Sequence, residues 1–138
     1  MSEAVFSGPV EDRLAIRERI EAYSDAVFRH DAEAWIACWA EDGVWRLPGI
    51  DVAGRPQIKA AWQGAMGAFT LAGFFATPGS IVVSGDRAKA RVYTQEILIL
   101  AAGGVRKIVG AYEDELVRID GAWLFASRAY NVLHDEKA

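Results

Sequence analysis

The sequence predicts an α+β domain, with helices laid on one face of a curved, largely antiparallel sheet. Three observations carry this. Helical periodicity is confined to the first half, the second half reads as strands separated by glycine turns, and the last two strands meet in a strong hairpin signal. That signal is the stretch from Gly110 to Tyr130, two long strands joined by Asp120-Gly121. Asp-Gly suits a type I′ turn, whose two central residues both need positive φ. Before the turn Tyr112, Asp114, Leu116 and Arg118 alternate onto one face, and after it Leu124, Ala126, Arg128 and Tyr130 do. A face that mixes apolar residues with Asp114, Arg128 and two tyrosines fits a sheet closing over a cavity. It also fits a solvated face carrying one surface ion pair.

The helices come first. Pro9 suits the first turn of a helix, with Glu11 and Asp12 complementing its positive end. Ile16, Ile20, Tyr23 and Val27 then recur at spacings of four, three and four, one apolar stripe. Arg29-His30-Asp31 breaks the run. A second helix carries Trp35 and Trp39 one turn apart and ends near Asp42-Gly43. Val44 to Leu47 reads as a short strand, and Pro48-Gly49 with Gly54-Arg55-Pro56 punctuates a small hairpin. Ile58, Trp62, Met66 and Phe69 mark a third helix from Pro56 to Thr70. Thr77-Pro78-Gly79 leads into a β-branched strand over 80–85. Gly85-Asp86 turns the chain into a long strand over 89–100, and Ala102-Gly103-Gly104 turns it again into the strand containing Tyr112.

The totals bound the answer. A chain of 138 residues supports one domain with a real core, read here as 9–132, with a flexible arm over 1–8 and a tail over 133–138. Apolar residues make up 52% and charged residues 25%, ordinary globular composition. A net charge of -4 gives no reason to expect nucleic acid or an anionic membrane as partner. The first ten residues lack the basic and apolar regions of a signal peptide, and no apolar run approaches a membrane span. A cytoplasmic location follows as the default expectation.

Several chemistries find no support. The two histidines, His30 and His134, and the single Cys38 do not cluster with carboxylates, so neither a metal nor any other cofactor is expected. The serines have no nucleophile-elbow context, and Gly103-Gly104 sits in a hairpin turn rather than before a helix. Asp31 suits the N-cap of the second helix. Arg128 can pair with Asp114 across the hairpin. Glu96, in the apolar run 92–100, is a possible base, with an interface or a solvated face as the weightier reading. Ile97, Ile99, Val109 and Val117 alternate on the opposite face of the long strands, and an apolar patch there implies a homodimer or homotrimer.

Taken together, Tyr23-Ser-Asp25, Asp31 with Trp35, Asp42-Gly-Val-Trp45, Tyr112-Glu-Asp114, Asp120-Gly-Ala-Trp123 and Arg128 make the chain resemble the SnoaL-like branch of the nuclear transport factor 2-like superfamily. The resemblance runs from about Arg13 to Tyr130. Within the superfamily it is similar to hexachlorocyclohexane dehydrochlorinases and, more distantly, to scytalone dehydratases. It implies a cone whose sheet wraps an apolar pocket plugged by three to four helices. It places Asp31, eight residues after Tyr23, on the family's catalytic carboxylate, and Arg128 on a pocket-lining position as a polar stabiliser. Trp45 and Phe69 match pocket-lining positions, Tyr112 replaces another aromatic, and Tyr23, Val27, Phe74 and Tyr130 complete the implied substrate-binding set. Two departures stand out. The partner histidine is absent from Leu71 to Thr77, where Phe74 takes its place, and Ala26 stands where a lysine is expected. The implied function is a cofactor-independent lyase or isomerase acting on a small hydrophobic cyclic compound, with Asp31 itself taking the proton. Without the histidine, the alternative is a pocket that binds such a compound and performs no chemistry.

Overall fold

The computed structural model describes residues 5–138. Among them a short strand β1 (Phe6–Ser7) precedes the long helix α1 (Val10–Arg29) and the short helix α2 (Ala32–Ile36). A hairpin follows, β2 (Trp39–Leu47) and β3 (Ile50–Ala53), then helix α3 (Arg55–Met66). Four long strands complete the chain: β4 (Phe69–Ser84), β5 (Arg87–Leu100), β6 (Val105–Ile119) and β7 (Ala122–Lys137). All strands join one seven-stranded sheet in the order β1-β4-β5-β6-β7-β2-β3. It is antiparallel except where β1 meets β4 and β2 meets β7. The expected α+β layout is present, with three helices and an open, mixed sheet.

The stripe on α1 behaves as its spacing requires: Ile16, Ile20, Tyr23 and Val27 are all buried. The helix stops where His30 adopts a left-handed backbone, φ 52°. The second helix is shorter than expected. Trp39 does not continue it but opens β2, because the turn after Ile36 redirects the chain into pairing with β7. Phe69 likewise leaves α3, whose end at Gly67 follows the small residues Gly64 and Ala65, and opens β4 instead. The Thr77-Pro78-Gly79 stretch, expected as a loop, lies inside β4. The strand absorbs it through a bulge at Gly79, where a Cβ would stand 2.8 Å from the Tyr93 ring.

The ends also differ from expectation. Residues 1–4 of the expected arm lie outside the described residues, while Phe6 and Ser7 pair with Ile81 and Val82. The expected tail from 133 continues β7, with His134, Asp135, Glu136 and Lys137 paired to β6.

Extra residues at Thr70, Gly79, Ala126 and Leu133 each offset one strand against its partner. Such bulges bend and twist a strand, and here they curl the sheet around the helices. The one at Ala126 overturns part of the expected alternation. Asp120-Gly121 does make the tight turn, with φ of 50° and 80°. Yet it is Trp123 and Phe125, not Leu124 and Ala126, that face inward, and the extra residue restores Arg128 and Tyr130 to the inner face.

That restoration creates a buried ion pair on the inner face. Arg128 and Asp114 are directly paired across β6 and β7, and both are buried. The Arg128 guanidinium donates to the carboxylate twice, at 2.7 and 3.0 Å. The rings of Tyr112, Phe125 and Tyr23 surround it at 3.9, 4.2 and 4.5 Å. Burial acts to lower the pKa of Arg128, but Asp114 outweighs it and the group stays cationic. Removing one partner of such a pair leaves an uncompensated buried charge. Asp114→Asn is therefore expected to cost about 3–5 kcal/mol in urea unfolding, whereas Asp114→Leu combined with Arg128→Met should cost far less.

Candidate functional site

Between the helices and the curled sheet lies a cavity of about 250 Å³. Tyr23 and Val27 of α1, Trp45 and Leu47 of β2, and Trp62, Ala65 and Met66 of α3 form one side. The sheet supplies Phe69, Ala72 and Phe74 from β4, Glu96 and Leu98 from β5, Arg106, Ile108 and Tyr112 from β6, and Tyr130 from β7. The volume sits just below the range of about 300–1,000 Å³ typical of drug-sized ligand pockets, which suits a molecule of one or two rings. Four tryptophans back the helix side, with Trp35 and Trp62 stacked at 4.6 Å.

The cavity is apolar but not featureless. The Tyr130 hydroxyl donates to Glu96 Oε2. The Trp45 indole N–H donates to the Tyr112 hydroxyl at 3.4 Å. Behind the lining, Trp35 Nε1 and Thr94 Oγ1 are buried side-chain atoms without a hydrogen-bond partner among the described residues. Burial pushes the Glu96 carboxyl above its ordinary value, against the opposing pull of Tyr130 and Arg106. Burial also raises the phenols of Tyr23 and Tyr112, so both keep their protons as potential donors. Arg106 stands at the edge, tied to Asp135 at 2.9 and 2.6 Å. Among the described residues no three His, Cys, Asp or Glu side chains come together as a metal site would require, and no helix is long and apolar enough to cross a membrane.

The sequence-derived candidates divide cleanly. Tyr23, Val27, Trp45, Phe69, Phe74, Tyr112 and Tyr130 all lie on the cavity wall. Asp31 and Arg128 do not. Asp31 is the N-cap of α2, where Oδ1 accepts from the Ala34 N–H at 3.0 Å, and Oδ2 lies 3.4 Å from Arg29. Its side chain is 35% exposed. Arg128 is spent on Asp114 and reaches the cavity only through the faces of Tyr23 and Tyr112. His30 closes α1 from the outside, and His134 is exposed beside Glu136 at 3.1 Å. Phe74, in the place of the expected histidine, packs its ring 5.7 Å from Tyr23.

Glu96 is the residue whose weighting changes most. Reading it as interface or solvated face overlooked its parity, since Val92, Thr94, Glu96 and Leu98 alternate onto one face of β5. Trp62, Leu98 and Ile108 could have been found the same way, from periodicity and pairing. Arg106 carried no signal beyond its place opposite Leu98.

A cone built from a curled sheet plugged by helices defines a class of pocket proteins rather than one activity. The SnoaL-like domain model matches residues 9–129, and the chain belongs to that family. No curated protein sequence matches it. Among solved structures it is similar to an NTF2-like protein with a cystatin-like fold from Novosphingobium aromaticivorans, with 28% identity, a TM-score of 0.77, and 90% of this chain and 83% of that one covered. A protein of the same organism, provisionally named a scytalone dehydratase, matches at 22% identity and TM-score 0.86, covering 92% and 87%. A hexachlorocyclohexane dehydrochlorinase from Novosphingobium barchaimii matches at 17% identity and TM-score 0.81, covering 94% and 91%.

Two measurements follow from this geometry. Asp31→Ala should lose about 0.5–2 kcal/mol of stability by chemical unfolding, while Asp31→Asn retains the cap. For Glu96, a raised pKa means that the folded protein still holds a proton the unfolded chain has released. Stability should therefore fall as pH rises from about 4.3 towards the folded value, and melting scans of Glu96→Gln should lack that component.

Proposed function

We propose that the protein binds a small, hydrophobic, cyclic molecule in this cavity and acts on it as a cofactor-independent lyase or isomerase. The observation that carries the reading is the cavity itself: apolar walls of one- or two-ring size, with the carboxyl-bearing Glu96 and the tyrosines Tyr23, Tyr112 and Tyr130 among the lining residues. Proton abstraction from carbon needs such a setting, because a poorly solvated carboxyl has a pKa suited to exchange near neutral pH. Membership of the SnoaL-like family and likeness in fold to a dehydrochlorinase support the reaction class.

A second reading, binding without chemistry, draws on two specific observations. Asp31 is engaged as a helix cap, and among the described residues no imidazole lines the cavity. We assign Asp31 the capping role and leave acid–base work to groups on the wall.

We also propose a homodimer or homotrimer through the outer face of the long strands. Leu71, Phe75, Tyr93 and Val109 are more than a third exposed there, beside the half-buried Ile97 and Ile99. An apolar surface of this kind is a costly one to leave in water. Light scattering at tens of micromolar should give a multiple of the 15.1 kDa chain mass, and a monomer would remove this part of the proposal.

The binding function is tested by plugging the cavity. Ala65 is an exposed residue of α3 that also lines the space, so Ala65→Trp should obstruct it with little disturbance of the core. Quenching of tryptophan fluorescence by uncharged compounds such as 2-naphthol should saturate in the native protein and weaken at least tenfold in the variant. Equal affinity in both would place the ligand elsewhere.

A further inference from the structure

Glu96 sits on the inner face of β5 with its carboxyl in the cavity wall, and three features surround it there. Tyr130 donates its hydroxyl hydrogen to Glu96 Oε2. Thr94, two residues earlier on the same face, is 3% exposed and its hydroxyl has no partner among the described residues. Gly110, paired with Thr94 across β5 and β6, leaves the gap that Tyr130 fills. A Cβ at Gly110 would stand 2.6 Å from the Tyr130 hydroxyl and 2.8 Å from Thr94 Oγ1. The backbone at 110 is thus kept bare so that a phenol can reach the carboxyl.

From this geometry we propose that Glu96 is the catalytic acid–base residue of the cavity, with Tyr130 and Gly110 as positioning residues, and that the substrate is an uncharged cyclic carbonyl compound. The proposal rests on the binding reading above and adds the chemistry to it. The carbonyl assignment comes from the donors at hand. Tyr112, whose ring lies 4.7 Å from that of Tyr130, receives the Trp45 N–H, and among the described residues its own hydroxyl donates to no carboxylate, the Glu96 oxygen being taken by Tyr130. A neutral oxygen acceptor satisfies it, and that hydrogen bond strengthens when negative charge develops on the oxygen.

The step balances without any co-reactant. The Glu96 carboxylate takes a proton from the carbon next to the carbonyl. The C–H electron pair forms the new C=C bond, and the carbonyl π pair moves to oxygen, giving an enolate held by the Tyr112 hydroxyl. Where the substrate carries a C=C β,γ to its carbonyl, the enolate is a dienolate. Protonated Glu96 then returns the proton to the γ-carbon, the oxygen pair re-forms the C=O, and the remaining C=C settles between the α- and β-carbons, which isomerises the substrate. Alternatively, the enolate expels a β-substituent with its bonding pair, which completes an elimination.

The groups facing Glu96 set its pH response. They are Tyr130 and Asp135 from β7, and Arg106 and Tyr112 from β6, while the adjoining β4 presents only the apolar Phe74. The Tyr130 hydrogen bond favours the carboxylate, so removing it should move the ionisation upward.

The probe is 2-tetralone, an uncharged two-ring ketone, incubated with the full chain in deuterium oxide. Exchange of its α-protons is followed by proton NMR, and its binding by thermal shift. The expected result is enzyme-dependent exchange that rises with pH through the raised Glu96 ionisation. Glu96→Gln should keep binding and lose about 10²–10⁴-fold in exchange. Tyr130→Phe and Gly110→Ala should keep measurable exchange with the pH profile displaced upward, a change that a merely structural role would not produce. Exchange that survives in Glu96→Gln, or that vanishes in Asp31→Asn instead, overturns the assignment. Binding without exchange above the Glu96→Gln level also overturns it, yet leaves the binding reading standing. Absence of 2-tetralone binding removes both.

Discussion

The inner face of the sheet depends on the Asp114–Arg128 pair. Both charges are withdrawn from water, so each requires the other, and the pairing is possible only in one register of β6 against β7. The guanidinium then holds three rings around itself: Tyr112 from its partner strand, Phe125 from its own and Tyr23 from α1. A single cation therefore fixes the helix against the sheet as well as strand against strand. Two of those rings, Tyr23 and Tyr112, form part of the cavity wall. The pair acts on the site by holding its floor in place, without touching the space above it.

Curvature is the second requirement. Extra residues in β4 and β7 bend the long strands, and the bent sheet leaves room that α1 and α3 close but do not fill. Into that room the pleat of β5 delivers Thr94, Glu96 and Leu98 on one face. A carboxyl between apolar neighbours costs free energy when ionised, and Tyr130 offsets part of that cost. The result is a carboxyl whose pKa is raised, the property that the proposed acid–base role requires.

How much of this could be read in the chain depended on which interactions were local. The α1 stripe and the Asp120-Gly121 turn are determined by near neighbours in sequence, and both appear where spacing and turn chemistry put them. Trp39 and Phe69 continue a helical spacing and yet begin strands, because pairing with distant partners in β7 and β5 outweighs local periodicity. The bulge at Ala126 was illegible for the same reason: one extra residue exchanges the faces of everything before it, and only the partner strand reveals it. At the site, aromatic pocket positions followed from the family pattern. Asp31 did not follow in the same way, since an aspartate before a helix satisfies a cap and a catalytic pattern equally in sequence. Glu96 was legible in principle through its parity with Val92 and Leu98.

The central claim is that the ionising group of the cavity is Glu96. It is tested most directly by following the side-chain carboxyl resonances of carbon-13-labelled protein through a pH titration, with and without an uncharged two-ring ligand such as 2-naphthol. The geometry predicts that Glu96 titrates above the ordinary glutamate value of about 4.3 and that its midpoint moves when the ligand binds, while the Asp31 resonance ignores the ligand. A Glu96 carboxyl that titrates at the ordinary value and does not respond to a bound ligand would contradict it.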